Sequence, residues 1–241
     1  MSMERGFGRK LVFLMILAIC GVALGSTSLL AQTQGKIGPV DPHEQIIEHA
    51  NNTDIEVYYP VTCNKKINKK LATFAAREVA DFKKNLPAEK SSSGSGNQLD
   101  ISFKTYHYSS NIKTFKFDLS GYTVGQAHPW NNIVTKTYDL ATGKELSLAD
   151  IFKTNSAYLQ ELSEQSIRSL IMQMPNEDKR LIREGAAPKA ENFERFALTE
   201  KELIIFFNVY QVGSRPEGSP EVRLPYASLK SFIEPDSGRK R

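Results

Sequence analysis

Histidines, a cysteine and a few aspartates are the side chains in this chain that could move protons or hold a metal. His43 and His49 stand six apart, not the three or four that places two ligands on one helical face, so a metal pair is not expected there. His107 alternates with Tyr106 and Tyr108 and reads as a partly exposed strand residue. His128, between Ala127 and Pro129 and close to Trp130, is the best placed of the four. As a general acid or base it would need a carboxylate partner, and the competing reading is a turn histidine bonded to backbone. Asp118, Asp139 and Asp150 could supply that carboxylate only if folding converges them; Asp139 otherwise belongs to a hairpin and Asp150 to the turn entering a helix. Cys63 follows a strand and reads as a small buried hydrophobe rather than a nucleophile. Asn51-Asn52-Thr53 fits a glycosylation acceptor. No Ser-His-Asp or Cys-His arrangement has a local signature, so no catalytic residue, metal set or cofactor is expected.

The elements that carry these residues lie outside the cytoplasm by the logic of the N-terminus. Arg5, Arg9 and Lys10 precede an apolar run from Leu11 to Leu30, the layout of an export segment, so residues 1–31 are a signal peptide or a membrane anchor. Ala23-Leu24-Gly25 and Ala31 offer cleavage sites, whereas the run is near spanning length and its basic residues would stay inside if it were kept. Lipidation at Cys20 is a further alternative, with the bulky Ile19 against it. The protein is expected in the periplasm or at the outer face of the cytoplasmic membrane, held there through residues 11–30 if uncleaved and secreted if cut. Cys63 is then the lone exported cysteine, an intramolecular disulfide is excluded, and the fold depends on its core.

Composition is that of an ordinary globular chain, 40% hydrophobic and 24% charged. Removing residues 1–31 leaves 28 basic against 26 acidic residues, a net charge of +2 and too mild to imply nucleic acid. The pairs Lys65-Lys66, Lys69-Lys70 and Lys83-Lys84 fall on the solvated side of a helix, with weak contact to an anionic wall polymer or lipid surface as the other reading.

Residues 32–52 read as a tether. Asp54 to Pro60 alternates as a strand, and Ile67, Leu71, Phe74, Ala75, Val79, Phe82 and Leu86 form one apolar helical stripe that Pro87 stops. Ser91 to Asn97 is a flexible loop by composition. Leu99 to Tyr108 and Ile112 to Leu119 make an antiparallel hairpin, and a third strand from Asn132 to Leu140 leads into a turn where Gly143 supplies a positive φ. A second helix spans Ser156 to Met174; Asn176 caps a short third one that Gly185 ends. Phe193, Phe196 and Glu202 to Val209 form the next strand, central in its sheet because Ile204-Ile205-Phe206-Phe207 is apolar on both faces. The expected class is α+β, with antiparallel sheets, helices packed on one face and two small subdomains at 53–134 and 135–233, followed by a tail at 234–241.

Several spaced pieces give a more specific likeness. Tyr138 to Leu229 resembles the C-terminal extracytoplasmic domain of RsiV-type anti-sigma factors and PdaC-type peptidoglycan deacetylases. The matching pieces are the Tyr-Asp-Leu-x-Thr-Gly-Lys-x-Leu-x-Leu-x-Asp-x-Phe turn at 138–152, Asn192-Phe193, Phe206-Phe207-x-x-Tyr210-Gln211-Val212, and Glu221-Val222-x-Leu224-Pro225-Tyr226-x-x-Leu229. Ile55 to Pro60 with its helix, and Gly125-Gln126-Ala127-His128-Pro129, resemble the small domain that precedes it. The resemblance implies a binding domain: sensor members recognise lysozyme outside the cell, and enzyme members carry a separate deacetylase domain. Only about ten residues precede the apolar run and little follows Leu229, so the paired module alone is expected here.

The functional expectation is a non-enzymatic binding or sensing module of the bacterial cell envelope whose partner is an envelope polymer such as peptidoglycan or a lytic enzyme such as lysozyme. The contact residues expected are Tyr210, Gln211, Arg215 and Pro216 in the loop from Tyr210 to Pro220, with His128 and Trp130. Tyr210 and Gln211 have an alternative role, fixing that loop internally. Gly213-Ser214-Arg215-Pro216 replaces the family's Ala-Pro-Tyr and removes an aromatic from the surface. Two alternatives remain: an envelope polysaccharide hydrolase using His128 and a convergent carboxylate, and a structural subunit anchoring a membrane protein.

Overall fold

The computed structural model describes residues 41–50, 52–87, 96–214 and 218–233. All described residues lie in one compact unit. The expected export segment, residues 91–95 of the expected flexible loop, Arg215, Pro216 and the expected tail at 234–241 fall outside the described residues. Among the described residues no helix is long and apolar enough to cross a membrane.

A six-stranded sheet carries the first half. In order it contains β1 (His43–Ala50), β2 (Thr53–Pro60), β3 (Asn97–His107), β4 (Ile112–Tyr122), β5 (Trp130–Asp139) and β6 (Glu145–Leu146). Most of the C-terminal part of the expected tether is therefore strand. Its sequence hides this because β1 is an edge strand that buries little and is held by backbone pairing to β2, in register from His43 opposite Pro60 to Ala50 opposite Thr53. Asn52 turns the hairpin at φ 60, a conformation that asparagine tolerates.

Helix α1 (Lys65–Lys84) links β2 to β3, which run parallel; such a pair needs a long crossover. Asn64 caps α1 by accepting from the N–H groups of Lys66 and Ile67. Ile67, Leu71, Phe74, Ala75, Val79 and Phe82 pack on Ile55, Val57, Leu99, Ile101, Phe117 and Tyr138, so the expected stripe is the one buried. Each fully buried large apolar side chain contributes about 1.5–3 kcal/mol. β3 and β4 form the expected hairpin, and Gly143 takes φ 75 in the turn between β5 and β6.

The opposite face of the sheet meets a second layer. Helices α2 (Tyr158–Gln173) and α3 (Lys179–Gly185) precede the sheet β7 (Phe196–Leu198), β8 (Glu202–Phe206) and β9 (Glu221–Pro225), which α4 (Tyr226–Leu229) follows. β8 is the central strand, as its two-sided apolar run requires. It ends at Phe206 rather than Val209, and Phe193 lies in a 3-10 turn outside the sheet. Asp178, not Asn176, caps α3 by accepting from the Arg180 N–H at 2.8 Å.

The class is α+β, with one core beneath α1 and another around α2, α3 and Phe207. Tyr106, Ile133, Ala197, Ile204 and Phe206 form a smaller cluster between the sheets. β5 crosses the expected join at residues 134 and 135. Ile133, Thr135 and Thr137 face the second layer: the Phe196 N–H donates to Thr135 Oγ1 at 3.0 Å and Arg195 Nε to the Ile133 carbonyl at 3.0 Å. Trp130, Val134, Lys136 and Tyr138 face α1.

Candidate functional site

Trp130 opens β5 opposite Gly121 of β4. A Cβ built on Gly121 would stand 2.3 Å from Trp130 Cζ2 and 2.4 Å from Cε2, so the indole occupies the space that any other residue would fill. The ring is half-buried and leads into a cleft of about 360 Å³, closed by the last turns of α1 and the loop before β5. Glu78, Asp81 and Asn85 line it from α1 at three- and four-residue spacing, with Phe82 beneath, and Thr123 and Gln126 line the other side.

Most of these polar groups have capacity left over. Gln126 Oε1 accepts the Thr123 N–H at 3.1 Å, which leaves its NH2 group. Asn85 donates to the Asp81 carbonyl at 2.8 Å, which leaves its own carbonyl. The Asp81 carboxylate, the Thr123 hydroxyl and Trp130 Nε1 make no hydrogen bond among the described residues. Glu78 alone is paired, with Arg77 at 3.2 Å. An aromatic ring bordered by donors and acceptors can take a ligand with apolar C–H faces and a rim of hydroxyls.

Another cleft, about 580 Å³, lies between β5, α2 and β7. Its polar side chains are largely committed to one another. Thr137 bonds Thr114 at 2.8 Å, Glu145 accepts from Tyr138 at 3.1 Å, and Asp150 accepts from Ser147 Oγ at 2.6 Å. Desolvation pushes the Asp150 carboxyl up, but bonds from Lys144 and Ser147 outweigh it and hold the group below the ordinary range. That hydrogen bonding is structural, closing the short 3-10 turn at Leu148–Asp150.

The residues expected to do chemistry do not converge. His128 is exposed, with Nδ1 3.1 Å from the Pro129 carbonyl, a turn histidine held by backbone. Asp118 pairs with Lys116, and Asp139 accepts the Ala141 N–H at 2.9 Å and the Thr142 hydroxyl at 2.8 Å inside its hairpin. His43 packs edge-on to Tyr58 and His49 meets Asp54 at 3.0 Å, at opposite ends of β1. His107 is exposed on β3. Cys63 is exposed too, which corrects the buried assignment: it precedes the cap of α1, where the chain has left the sheet. No three His, Cys, Asp or Glu side chains group as metal ligands among the described residues.

In the loop after β8 the expected pair divides. Gln211 turns inward: its Nε2 donates to the carbonyls of Gly185 at 3.0 Å and Asn192 at 3.1 Å, and its Oε1 accepts the Asn208 N–H at 3.1 Å. Tyr210 turns outward at φ 68 with 62% of its surface exposed. Trp130, an expected contact residue, lines this cleft, and Asp81, Asn85, Thr123 and Gln126, which line it too, were not among the expected residues. The spacing of Glu78, Asp81 and Asn85 on the outer face of α1 was the available signal.

Residues 149–227 match the family model described as a protein of unknown function, DUF3298. The match lies in the C-terminal part of the chain. Over 191 residues it is 30% identical to peptidoglycan-N-acetylmuramic acid deacetylase PdaC of Bacillus subtilis (strain 168), a match that covers 78% of this chain and 41% of that protein. The chain thus spans about two fifths of the length of that relative. The fold is shared with a DUF3298 family protein of Pseudomonas aeruginosa PAO1, at a TM-score of 0.63 and 14% identity, covering 83% of this chain and 97% of the other. It is shared also with a DUF3298 member of Bacteroides fragilis NCTC 9343, at 0.56 and 18% identity, covering 81% and 94%. The likeness to PdaC and the DUF3298 match agree with the family resemblance drawn from 138–152 and 206–229.

Proposed function

We propose that this protein is a non-enzymatic binding module of the bacterial cell envelope, exported by its N-terminal segment, and that the Trp130 cleft takes the glycan of peptidoglycan. The observation that carries the reading is the set of unused hydrogen-bonding groups on Asp81, Asn85, Thr123 and Gln126 beside a half-buried indole. A sugar offers the complement, C–H bonds for the ring and hydroxyls for the rim. The relative's name supports the polymer, since it designates a peptidoglycan deacetylase.

Retention of the full chain on insoluble peptidoglycan, in neutral detergent, tests the proposal. Trp130→Ala should weaken retention by about tenfold, equivalent to about 1.4 kcal/mol. Equal retention of wild type and variant would assign the glycan elsewhere.

A second reading rests on Tyr210, an exposed aromatic held at positive φ beside the clamped Gln211, a pre-set anchor for a protein partner such as lysozyme. Capture of lysozyme that Tyr210→Ala abolishes while peptidoglycan retention persists would favour it.

A further inference from the structure

Helix α1 places Lys66, Lys69, Lys70, Thr73 and Arg77 along one face, a row spanning about 16 Å at the helical rise. Lys136 of β5 reaches the same groove, whose volume is about 450 Å³. These five cations share a single lining carboxylate, Glu145, which Lys136 meets at 3.2 Å and Lys70 at 3.6 Å. Arg77 pairs with Glu78 at its far end, and Lys66 and Lys69 enter no ion pair among the described residues.

Two physical features show that the charge is unbalanced. Lys65, Lys66, Lys69 and Lys70 crowd the first two turns of α1, whose first turn holds no acidic residue. A helix N-terminus favours anions, so these lysines work against the dipole, and a bound polyanion would relieve them. Lys83 and Lys84 in the last turn sit where the dipole favours cations.

The floor decides the kind of polyanion. Phe74 and Tyr138 lie beneath the row, both buried, with Lys136 Nζ 5.3 Å and Arg77 5.9 Å from the centre of the Phe74 ring and Lys70 Nζ 5.5 Å from that of Tyr138. Recessed and covered by cations, they offer no platform on which nucleic-acid bases could stack. Nor do they project to enter a bilayer; the exposed large apolar side chains Ile47, Met172 and Tyr210 lie outside the groove. Ammonium groups spaced along a line suit single negative charges repeated along a chain.

We infer that this groove is a binding site for a linear phosphodiester polymer without bases, of the polyol-phosphate kind. It shares no lining residue with the Trp130 cleft, and the two open on the same side of β5, at opposite ends of α1. The same α1 therefore serves a neutral glycan near its C-terminus and an anionic polymer near its N-terminus.

Fluorescence anisotropy of a labelled poly(glycerol phosphate) chain, titrated with the full-length protein in neutral detergent between 50 and 200 mM salt, tests the assignment. Binding should saturate and weaken with salt. Lys66→Gln/Lys69→Gln should weaken it about tenfold and flatten the logarithmic salt slope by about 1.4, at about 0.7 per phosphate contact on a single-stranded polyanion. The same double variant should melt no lower than wild type, because it removes cations from the helix N-terminus. Should it unfold instead, Lys66→Arg/Lys69→Arg, which keeps the charges, must bind like wild type. Absence of saturable binding, or equal binding by the Gln variant, would overturn the assignment. So would tighter binding of an oligothymidylate of equal charge, or displacement of the polymer by vesicles containing anionic lipid but not by neutral ones.

Discussion

Gly121→Ala gives the sharpest test of how the Trp130 cleft is built. The new Cβ would stand 2.3 Å from Cζ2, 2.4 Å from Cε2 and 2.8 Å from Nε1 of the indole, whereas carbon atoms rest about 3.5–4.0 Å apart. The ring must move by more than about 1 Å, and Gly121 pairs directly with Trp130, so the strand cannot simply slide away. In an unobstructed strand the change would stabilise by about 0.5–1 kcal/mol through the lost flexibility of glycine. Here overpacking costs about 1–3 kcal/mol and the damaged cross-strand contact about 0.2–1 kcal/mol. The net is a loss of about 2 kcal/mol, a fall in Tm of roughly 4–8 °C for a domain of this size. Trp130 is the lone tryptophan, so emission at its wavelength reports this one site. The spectrum should shift to the red as the ring enters solvent, and peptidoglycan retention should fall as expected for Trp130→Ala. A rise in Tm with an unchanged spectrum would refute the reasoning, because it would mean that Gly121 is not the seat of the indole.

Gly185→Ala should be worse for the fold: its Cβ would stand 1.7 Å from the Gln211 carbonyl oxygen, a backbone atom that cannot turn aside, and a loss above about 3 kcal/mol is expected in denaturant melts. Alkaline titration followed by near-ultraviolet circular dichroism should show stability lost between pH 10 and about 12. Burial, reinforced at Tyr59 by the bond to Glu44, pushes Tyr59 and Tyr106 up from 10.0 to about 12. Folded values above the unfolded ones mean that this contribution is complete below pH 10 and disappears as pH rises through the folded values. Constant stability up to pH 12 would contradict it.

What was legible in the sequence had local causes. The α1 stripe from Ile67 to Phe82, the hairpin between β3 and β4, and the positive φ at Gly143 each follow from residues within one element or one turn. β1 escaped notice because His43 to Ala50 buries almost nothing; what holds it is a ladder of backbone bonds that carries no side-chain signature. The parallel pairing of β2 with β3 was hidden for a similar reason, since register across a crossover is decided by packing at a distance. The cleft is likewise non-local, joining Asp81 and Asn85 to Gln126 and Trp130 only once α1 lies on the sheet. Gln211 and Tyr210 are neighbours in sequence with opposite fates, and the difference depends on the carbonyls of Gly185 and Asn192, which no local pattern reveals.

β5 has a mechanical consequence. Its odd-numbered residues Ile133 and Thr135 are engaged by the second layer, and its even-numbered residues Val134 and Tyr138 by the core beneath α1. A strand gripped on both faces cannot come loose on one side alone. The two cores are therefore expected to melt as one cooperative unit although each has its own apolar residues, and tension applied to α1 would be spread through both layers before any strand is peeled from the sheet.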